Sequence, residues 1–302
     1  MNTSAVNLKR PNAFLIGATK SGTTSLAQML GQHPKVFLPD AAFFFSKDDF
    51  YRRGMDWYQD SYFAKSASST IRIDSTPDYL LRGEKVIPRI LNHFDEPQNL
   101  KFIAILRNPI ERAYSHYWMA VRRGTESLSF LDAIRREVQR KVGGGTESTP
   151  SPGQTGRYIA EGKYASNLKP YLKRFDRSQF HILLFDDFAA NSEHEIRKLF
   201  VFLDLDAEIP LEPLHANMAA KHRSSSLRSY TNNRDHPTRM ILRKLLPAKL
   251  RKIAFRRLIE LNKAPFTPPP IPQEAVNILT DSLKVEIDEL EQLLDRDLSH
   301  WF

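Results

Sequence analysis

Short apolar runs alternate with amphipathic stretches and polar turns along most of the chain. The runs AFLIGA at 13–18, KFIAIL at 101–106 and FHILLF at 180–185 predict buried strands, and shorter strands are expected at 36–38 and 71–74. Strands that alternate with helices favour a mostly parallel sheet with both faces covered. The pattern therefore predicts an α/β fold, a three-layer sandwich in which a central, mostly parallel sheet is flanked by helices.

Capping patterns predict where two helices begin. Asn108 precedes Pro109 and stands three residues before Glu111, and Ser192 stands three residues before Glu195. Such side chains satisfy the free amides of a first helical turn. A further helix is expected near 275–294, after the proline-rich connector APFTPPPIP at 264–272.

The length of 302 residues suits one domain with insertions, so we predict a single domain over 1–302. Its stretch 141–157 is rich in Gly, Ser, Thr and Pro, which predicts a mobile insert. Residues 221–260 form a basic segment with helical periodicity. Between 221 and 257 it holds twelve Lys and Arg and one acid, although the net charge of the whole chain is only +9. This local excess indicates an anionic partner, for which a nucleotide, a nucleic acid and a membrane surface are all candidates.

Several classes of site are disfavoured by composition. The chain has no cysteine, and its nine histidines form no HExxH-type pair, so no metal site is expected. No apolar run approaches the roughly 20 residues of a membrane span, and the N-terminus lacks the apolar core of a signal peptide. These features lead us to predict a cytoplasmic location.

The segment GATKSGTT at 17–24 follows the first predicted strand and opens a helix. A small-residue loop between a strand and a helix is typical of phosphate binding, since backbone amides and the helix dipole face the anion. A Walker A loop would place Lys and then Ser or Thr after the second glycine, whereas here Lys20 precedes Gly22. The second strand ends at Arg107, where a kinase would present an aspartate to magnesium. The loop is therefore P-loop-like, and a magnesium-dependent kinase is the less favoured alternative.

Two motifs together resemble a known family. TKSGTTSL at 19–26 is similar to the 5′-phosphosulfate loop of sulfotransferases that use 3′-phosphoadenosine 5′-phosphosulfate (PAPS), and LRNPIERAYSHY at 106–117 is similar to their 3′-phosphate motif. The resemblance extends to STPDYL at 75–80, GKYASNLKPYL at 162–172 and DRDLSHWF at 295–302, and it points to the bacterial and heparan-sulfate branch. It implies transfer of a sulfuryl group by in-line displacement, without a metal, to a hydroxyl or amine of a small-molecule or carbohydrate acceptor. No nucleic-acid partner is then expected, and 3′-phosphoadenosine 5′-phosphate (PAP) is the product.

The resemblance also implies roles for individual residues. Lys20 would contact the bridging oxygen or the 5′-phosphate and neutralise charge as the sulfuryl group leaves. Arg107 and Ser115 would hold the 3′-phosphate, for which a guanidinium is well suited. A late basic loop would close over the phosphates. The expected donor-binding residues are Thr19, Lys20, Ser21, Gly22, Thr23, Thr24, Ser25, Arg107, Ser115, Tyr164, Lys221, His222, Arg223 and Ser224.

The sequence departs from the family at the general base. Relatives carry a Lys-Glu-Pro-His-Phe-Phe segment whose Glu takes the proton, but residues 40–45 here are DAAFFF. A hydroxyl acceptor needs a proton acceptor within reach. We expect Asp74 to replace it, with Asp40 second and His116 third. Phe43, Phe44 and Phe45 are candidates for an apolar acceptor pocket or for core packing.

The missing glutamate also keeps a second alternative open, a catalytically impaired relative that only binds nucleotide. Intact phosphate motifs disfavour it, because a binding module gains nothing from a lysine beside the leaving group.

Overall fold

The computed structural model describes residues 10–66, 68–142, 156–213, 220–222 and 263–302. The chain divides into two compact units. The first comprises Met1–Val121, Thr125–Leu214 and Ile271–Phe302, and the second comprises Arg122–Gly124 and His215–Pro270. The prediction of one domain therefore stays a prediction.

The first unit is built on a five-stranded sheet. Its strands are β1 (Ala13–Gly17), β2 (Val36–Phe37), β3 (Ile71–Ser75), β4 (Lys101–Leu106) and β5 (Phe180–Leu184). Their order across the sheet is β2-β3-β1-β4-β5, and every pair is parallel. The predicted α/β class with a parallel sheet is confirmed.

Helices connect the strands and cover the sheet. They are α1 (Thr23–Leu30), α2 (Asp48–Tyr51), α3 (Gly54–Tyr58), α4 (Gly83–Leu91), α5 (Pro109–Arg123), α6 (Phe130–Val142), α7 (Tyr164–Leu172), α8 (Phe185–Ala190), α9 (Ser192–Phe202) and α10 (Gln273–Leu294). A π-helical turn spans Gln59–Phe63, and 3-10 turns span Pro97–Asn99, Ala160–Gly162, Arg177–Gln179 and Ser299–Trp301. In the second unit, β6 (Ala220–His222) pairs antiparallel with β7 (Lys263–Pro265).

The strand residues alternate between the two faces of the sheet, and each face has its own core. Phe14 and Ile16 pack with Phe102 beneath side chains of α4, α7 and the second half of α10. Ala13 and Leu15 pack on the opposite face beneath α1 and α9. A third cluster joins α5, α6 and the first half of α10. The sheet and the helices on its two faces form the three layers of the predicted sandwich.

The observed element ends refine the predicted ones. Asn108 caps α5 as expected, since its Oδ1 accepts the amides of Ile110 at 2.9 Å and Glu111 at 3.2 Å. For α9 the cap is Asn191 and not Ser192, because the Asn191 side chain accepts the amide of His194. The strand predicted for FHILLF ends at Leu184, one residue before the predicted end, because Phe185 already begins α8.

Candidate functional site

The phosphate loop, residues 18–22, leaves the carboxyl end of β1 and leads into α1. Lys20 and Gly22 both have left-handed backbone conformations, with φ angles of 71° and 96°. A Cβ atom on Gly22 would lie 2.7 Å from Cδ2 of Phe185, so both the backbone angle and the neighbouring ring require glycine here. The Ser21 amide donates to the Ala18 carbonyl at 3.1 Å and closes the turn.

The start of α1 offers amide donors to an anion. Gly22 is the N-cap residue, and the first bond along the helix runs from the Leu26 amide to the Gly22 carbonyl at 3.0 Å. The amides of Thr23, Thr24 and Ser25 therefore have no acceptor within the helix. Together with the hydroxyls of these residues and the half-buried Lys20, they form a cradle suited to a phosphate or sulfate.

Arg107 lies at the end of β4, the strand beside β1. The two strand ends are joined by a hydrogen bond of 2.8 Å from the Ala18 amide to the Ile105 carbonyl. The Arg107 guanidinium donates from Nε and Nη2 to Glu111 Oε2, at 3.0 and 2.7 Å. Its Cζ atom lies 4.9 Å from the centroid of Phe185, the same ring that faces Gly22. The structure thus brings the two phosphate motifs together on one aromatic side chain.

Ser115 and Tyr164 complete the predicted donor site within the first unit. Ser115 lies on α5 and is half-exposed. Tyr164, the first residue of α7, is buried, and its hydroxyl donates to the Arg107 carbonyl at 2.8 Å. Burial raises the pKa of Tyr164, so its hydroxyl keeps its proton and remains a donor. Tyr164 therefore fixes the backbone at the end of β4.

A turn at residues 76–80 packs against the phosphate loop. The Thr19 hydroxyl donates to the Pro77 carbonyl at 3.5 Å, and the Leu80 amide donates to the Ile16 carbonyl at 2.8 Å. A Cβ atom on Gly17 would lie 2.8 Å from Cβ of Leu80, so glycine permits this close approach. The turn is consequently held in a fixed position beside the loop.

Asp74 lies at the end of β3 and is enclosed by hydroxyl groups. Its side chain is 1% exposed. Oδ2 accepts from Tyr58 at 2.6 Å and Tyr79 at 2.9 Å, and Oδ1 accepts from Thr76 at 2.5 Å. Burial raises the pKa of Asp74, and the three hydrogen bonds oppose that shift. This enclosure does not favour direct contact with an acceptor, although the assignment of Asp74 as base stays a prediction.

The two other predicted bases occupy opposite environments. Asp40 is exposed to solvent. His116 is buried on α5, where its Nδ1 lies 3.3 Å from Oε2 of Glu161. Burial would raise the pKa of Glu161, but His116, Arg112 and Arg157 outweigh it and hold that pKa below its usual value. His116 is thus part of an internal ionic cluster, which does not favour the role of proton acceptor.

Phe43, Phe44 and Phe45, the candidates for an acceptor pocket, are divided between the core and the surface. Phe44 and Phe45 are fully buried and belong to the main core. Phe43 is half-buried, and the ammonium of Lys47 lies 4.6 Å from the centroid of its ring. Core packing therefore explains Phe44 and Phe45, and a role in an acceptor pocket stays a prediction for the partly exposed Phe43.

Asp78 is a buried carboxylate beside the phosphate loop that the sequence analysis did not single out. It lies in the turn beside the phosphate loop and is 6% exposed. Its Oδ1 accepts from the Ser46 hydroxyl at 3.2 Å, and its Oδ2 lies 3.2 Å from Nε of Arg82. Burial raises the pKa of Asp78 to about 6, although Arg82 and Ser46 act in the opposite direction. The only sequence signal is an acid inside the family-like segment STPDYL.

The predicted late basic loop belongs to the second unit. Lys221 and His222 lie on β6, whereas Arg223 and Ser224 lie outside the described residues, as do nearly all of the basic segment and residues 143–155 of the predicted insert. Within the described ranges, no group of three or more His, Asp or Glu side chains is arranged to hold a metal ion. No helix in this part of the chain is long and apolar enough to cross a membrane.

Residues 10–246 match the family model described as "Sulfotransferase domain". Among curated proteins, the chain is 28% identical over 216 residues to heparan sulfate glucosamine 3-O-sulfotransferase 5 of Mus musculus, covering 68% of this chain and 57% of that protein. It is 21% identical to the membrane-associated sulfotransferase kil1 of Dictyostelium discoideum, covering 65% of this chain and 56% of that protein. The chain thus spans less than two thirds of the length of these relatives.

A solved structure has the same fold. A sulfotransferase from Alicyclobacillus acidocaldarius superimposes with a TM-score of 0.66 and 23% sequence identity, over 97% of this chain and 98% of that one. At this level of identity the likeness concerns the fold, and it agrees with the parallel sheet and flanking helices described above.

Proposed function

We propose, since the chain belongs to the sulfotransferase domain family, that it transfers a sulfuryl group from PAPS to a hydroxyl or amine of a small-molecule or carbohydrate acceptor. The observation that carries the proposal is the shared contact of Gly22 and Arg107 with Phe185, because it sets the phosphate loop and the guanidinium side by side. A nucleotide with phosphates at both the 5′ and 3′ positions fits such a pair of anion sites.

The residues present suit each end of this donor. The amides of Thr23, Thr24 and Ser25 would hold the 5′-phosphosulfate, and Lys20 would neutralise the charge that develops on the departing phosphate oxygen. Arg107, which is 25% exposed and paired with Glu111, would turn toward the 3′-phosphate, with Ser115 as a further donor. Tyr164 would keep the Arg107 backbone in place through its hydrogen bond.

Family membership disfavours the kinase alternative, and turnover separates an enzyme from a relative that only binds nucleotide. The assay is incubation with ³⁵S-labelled PAPS and a panel of glycans, alcohols, phenols and amines, followed by mass spectrometry of the products. We expect a sulfated product and PAP. Binding of PAP without release of PAP from PAPS, for any acceptor or for water, would contradict the proposed activity. The cytoplasmic location stays a prediction that fractionation of the producing cells can test.

A further inference from the structure

Transfer of a sulfuryl group to a hydroxyl releases a proton, and a side chain near the donor phosphates has to accept it. The carboxylates around the phosphate loop include Asp74 at the end of β3, Asp78 in the turn that follows, and the predicted base Asp40. Asp74 already accepts three hydroxyl hydrogen bonds inside the core, and Asp40 stands in solvent. Asp78 differs from both, because it is buried and its oxygens are contacted by Ser46 and Arg82.

The backbone around Asp78 is fixed to the phosphate loop. The residue before it, Pro77, accepts the Thr19 hydroxyl, and Leu80 is bonded to Ile16 and packed on Gly17. A side chain on this turn therefore keeps a constant position relative to a donor held by the loop.

The carboxylate of Asp78 lies between the turn and the segment at residues 43–46. This segment is joined to the turn by hydrogen bonds from the Phe43 amide to the Thr76 hydroxyl at 3.3 Å and from the Phe45 amide to the Tyr79 hydroxyl at 3.1 Å. Ser46 on the same segment donates to Asp78 itself. The titratable and charged groups that face Asp78 are Lys47, Arg82, Arg157, Glu161 and Tyr171.

We propose that Asp78 is the general base of the transfer, an inference that rests on the proposed function. The acceptor oxygen forms a bond to sulfur, and the bond between sulfur and the bridging oxygen of PAPS breaks. Its electron pair leaves on the 5′-phosphate of PAP, and the proton of the acceptor hydroxyl passes to the Asp78 carboxylate. Asp78 is then a catalytic residue, while Ser46 and Arg82 are positioning residues that orient its oxygens.

The ionisation of Asp78 suits this task. Burial raises its pKa to about 6, so the carboxylate is mostly ionised at neutral pH and is a stronger base than an ordinary aspartate. Arg82 and Ser46 both hold that pKa down. Removing either contact should raise the pKa of Asp78. The pH profile of turnover should then shift if Asp78 is the base, whereas it should not shift if Asp78 has only a structural role.

The first test compares Asp78→Asn with Asp204→Asn. Asp204 is an exposed aspartate paired with Lys101 near the start of β4, in a left-handed conformation that asparagine also adopts. The probe is ³⁵S-labelled PAPS with a heparan sulfate oligosaccharide, and labelled inorganic sulfate reports water as the background acceptor. We expect Asp78→Asn to lose about 10²–10⁴-fold in turnover, as typical for a general base, with PAP affinity within about twofold. Asp204→Asn should match the wild type in both.

The second test uses the pH profile of kcat/KM. The acidic limb of the wild type should lie near pH 6, and Ser46→Ala and Arg82→Gln should both move it to higher pH. If Asp78→Asn fails to fold, these two variants still decide the assignment. A folded Asp78→Asn protein with near-normal turnover, or an acidic limb that neither variant moves, overturns the role of Asp78 and leaves the proposed function intact. A wild-type protein that binds PAP but releases none from PAPS instead overturns the proposed function.

Discussion

Arg107 is held by contacts that a phosphate can replace. Its guanidinium is paired with the half-exposed Glu111 in the first turn of α5 and packs on Phe185. Because exposed ion pairs of this kind contribute little to stability, turning Arg107 toward a bound anion costs little.

Arg107→Ala should weaken binding of PAP by roughly 2–4 kcal/mol, because it removes a charge-assisted contact from the 3′-phosphate. Calorimetric titration with PAP measures the change. Arg197→Ala is a matched control, since Arg197 is also paired with a glutamate four residues away, Glu193, but lies on α9. Equal PAP affinity in folded Arg107→Ala and wild type would contradict the assignment of the 3′-phosphate site.

Single residues were predictable where their role depends on neighbours in sequence. Lys20, Gly22 and Arg107 stand in local motifs, so the sequence alone was enough to predict them as site residues. Asp78 lies in the segment STPDYL, but the sequence does not show its raised pKa, because burial causes the shift and the opposing hydrogen bond comes from Ser46, 32 positions away. The sequence likewise does not show that Tyr58 encloses Asp74, because the two residues are 16 positions apart.

The junction of β1, the phosphate loop and α1 depends on glycine at two close approaches. Gly17 lets the turn at 76–80 pack on the strand end, and Gly22 lets Phe185 approach the start of the helix. Local patterns located this junction and the start of α5. They placed the end of β5 one residue late, because an apolar run does not show where strand geometry changes into a helix.

Gly22→Ala should destabilise the protein by roughly 2–5 kcal/mol, the sum of a left-handed backbone angle and a steric clash. Gly54→Ala separates the two costs, because Gly54 has a φ of 82° but no atom within 4 Å of an added Cβ. We expect Gly54→Ala to lose only about 1–2 kcal/mol and to bind PAP normally. Chemical unfolding and PAP titration measure both effects, and equal losses in the two variants would refute the role of the Phe185 contact.

For the molecule as a whole, the sequence predicted the fold class but not the arrangement of its parts. Periodicity identified buried strands and helices because it is a local property. The order of the strands, and the choice of helices that cover each face, depends on contacts between distant segments such as α4, α7 and α10. The second unit largely overlaps the basic segment at 221–260, but the composition alone did not predict a separate compact unit.

Asp78 should make the folded protein less stable at neutral pH than at low pH. Its folded pKa of about 6 lies above the ordinary value of 3.8, so its favourable contribution is complete below pH 3.8 and is lost as the pH rises through 6. Asp78→Asn should therefore be more stable than wild type at pH 7.5, by on the order of 1–3 kcal/mol, with the gap closing near pH 4. Denaturant unfolding at both pH values tests this, and a gap independent of pH would contradict it.

Turnover should persist in excess EDTA, because Lys20, Arg107 and the amides at the start of α1 supply the positive field around the phosphates. The assay with labelled PAPS is run after exhaustive chelation and again with added magnesium. Equal rates are expected. A strict requirement for magnesium would instead favour the kinase interpretation.

The ring of Phe185 lies between the two phosphate motifs. Because one side chain lies against both Gly22 of the phosphate loop and the guanidinium of Arg107, the two predicted anion sites are neighbours, and Arg107 needs only to turn from Glu111 to meet the second anion. We expect a nucleotide with phosphates on both sides of a single ribose to engage both sites, whereas one carrying all its phosphates in a row at the 5′ position would leave Arg107 paired with Glu111. The site should then discriminate between nucleotides by the positions of their phosphate groups, and an abundant triphosphate should compete for it only weakly.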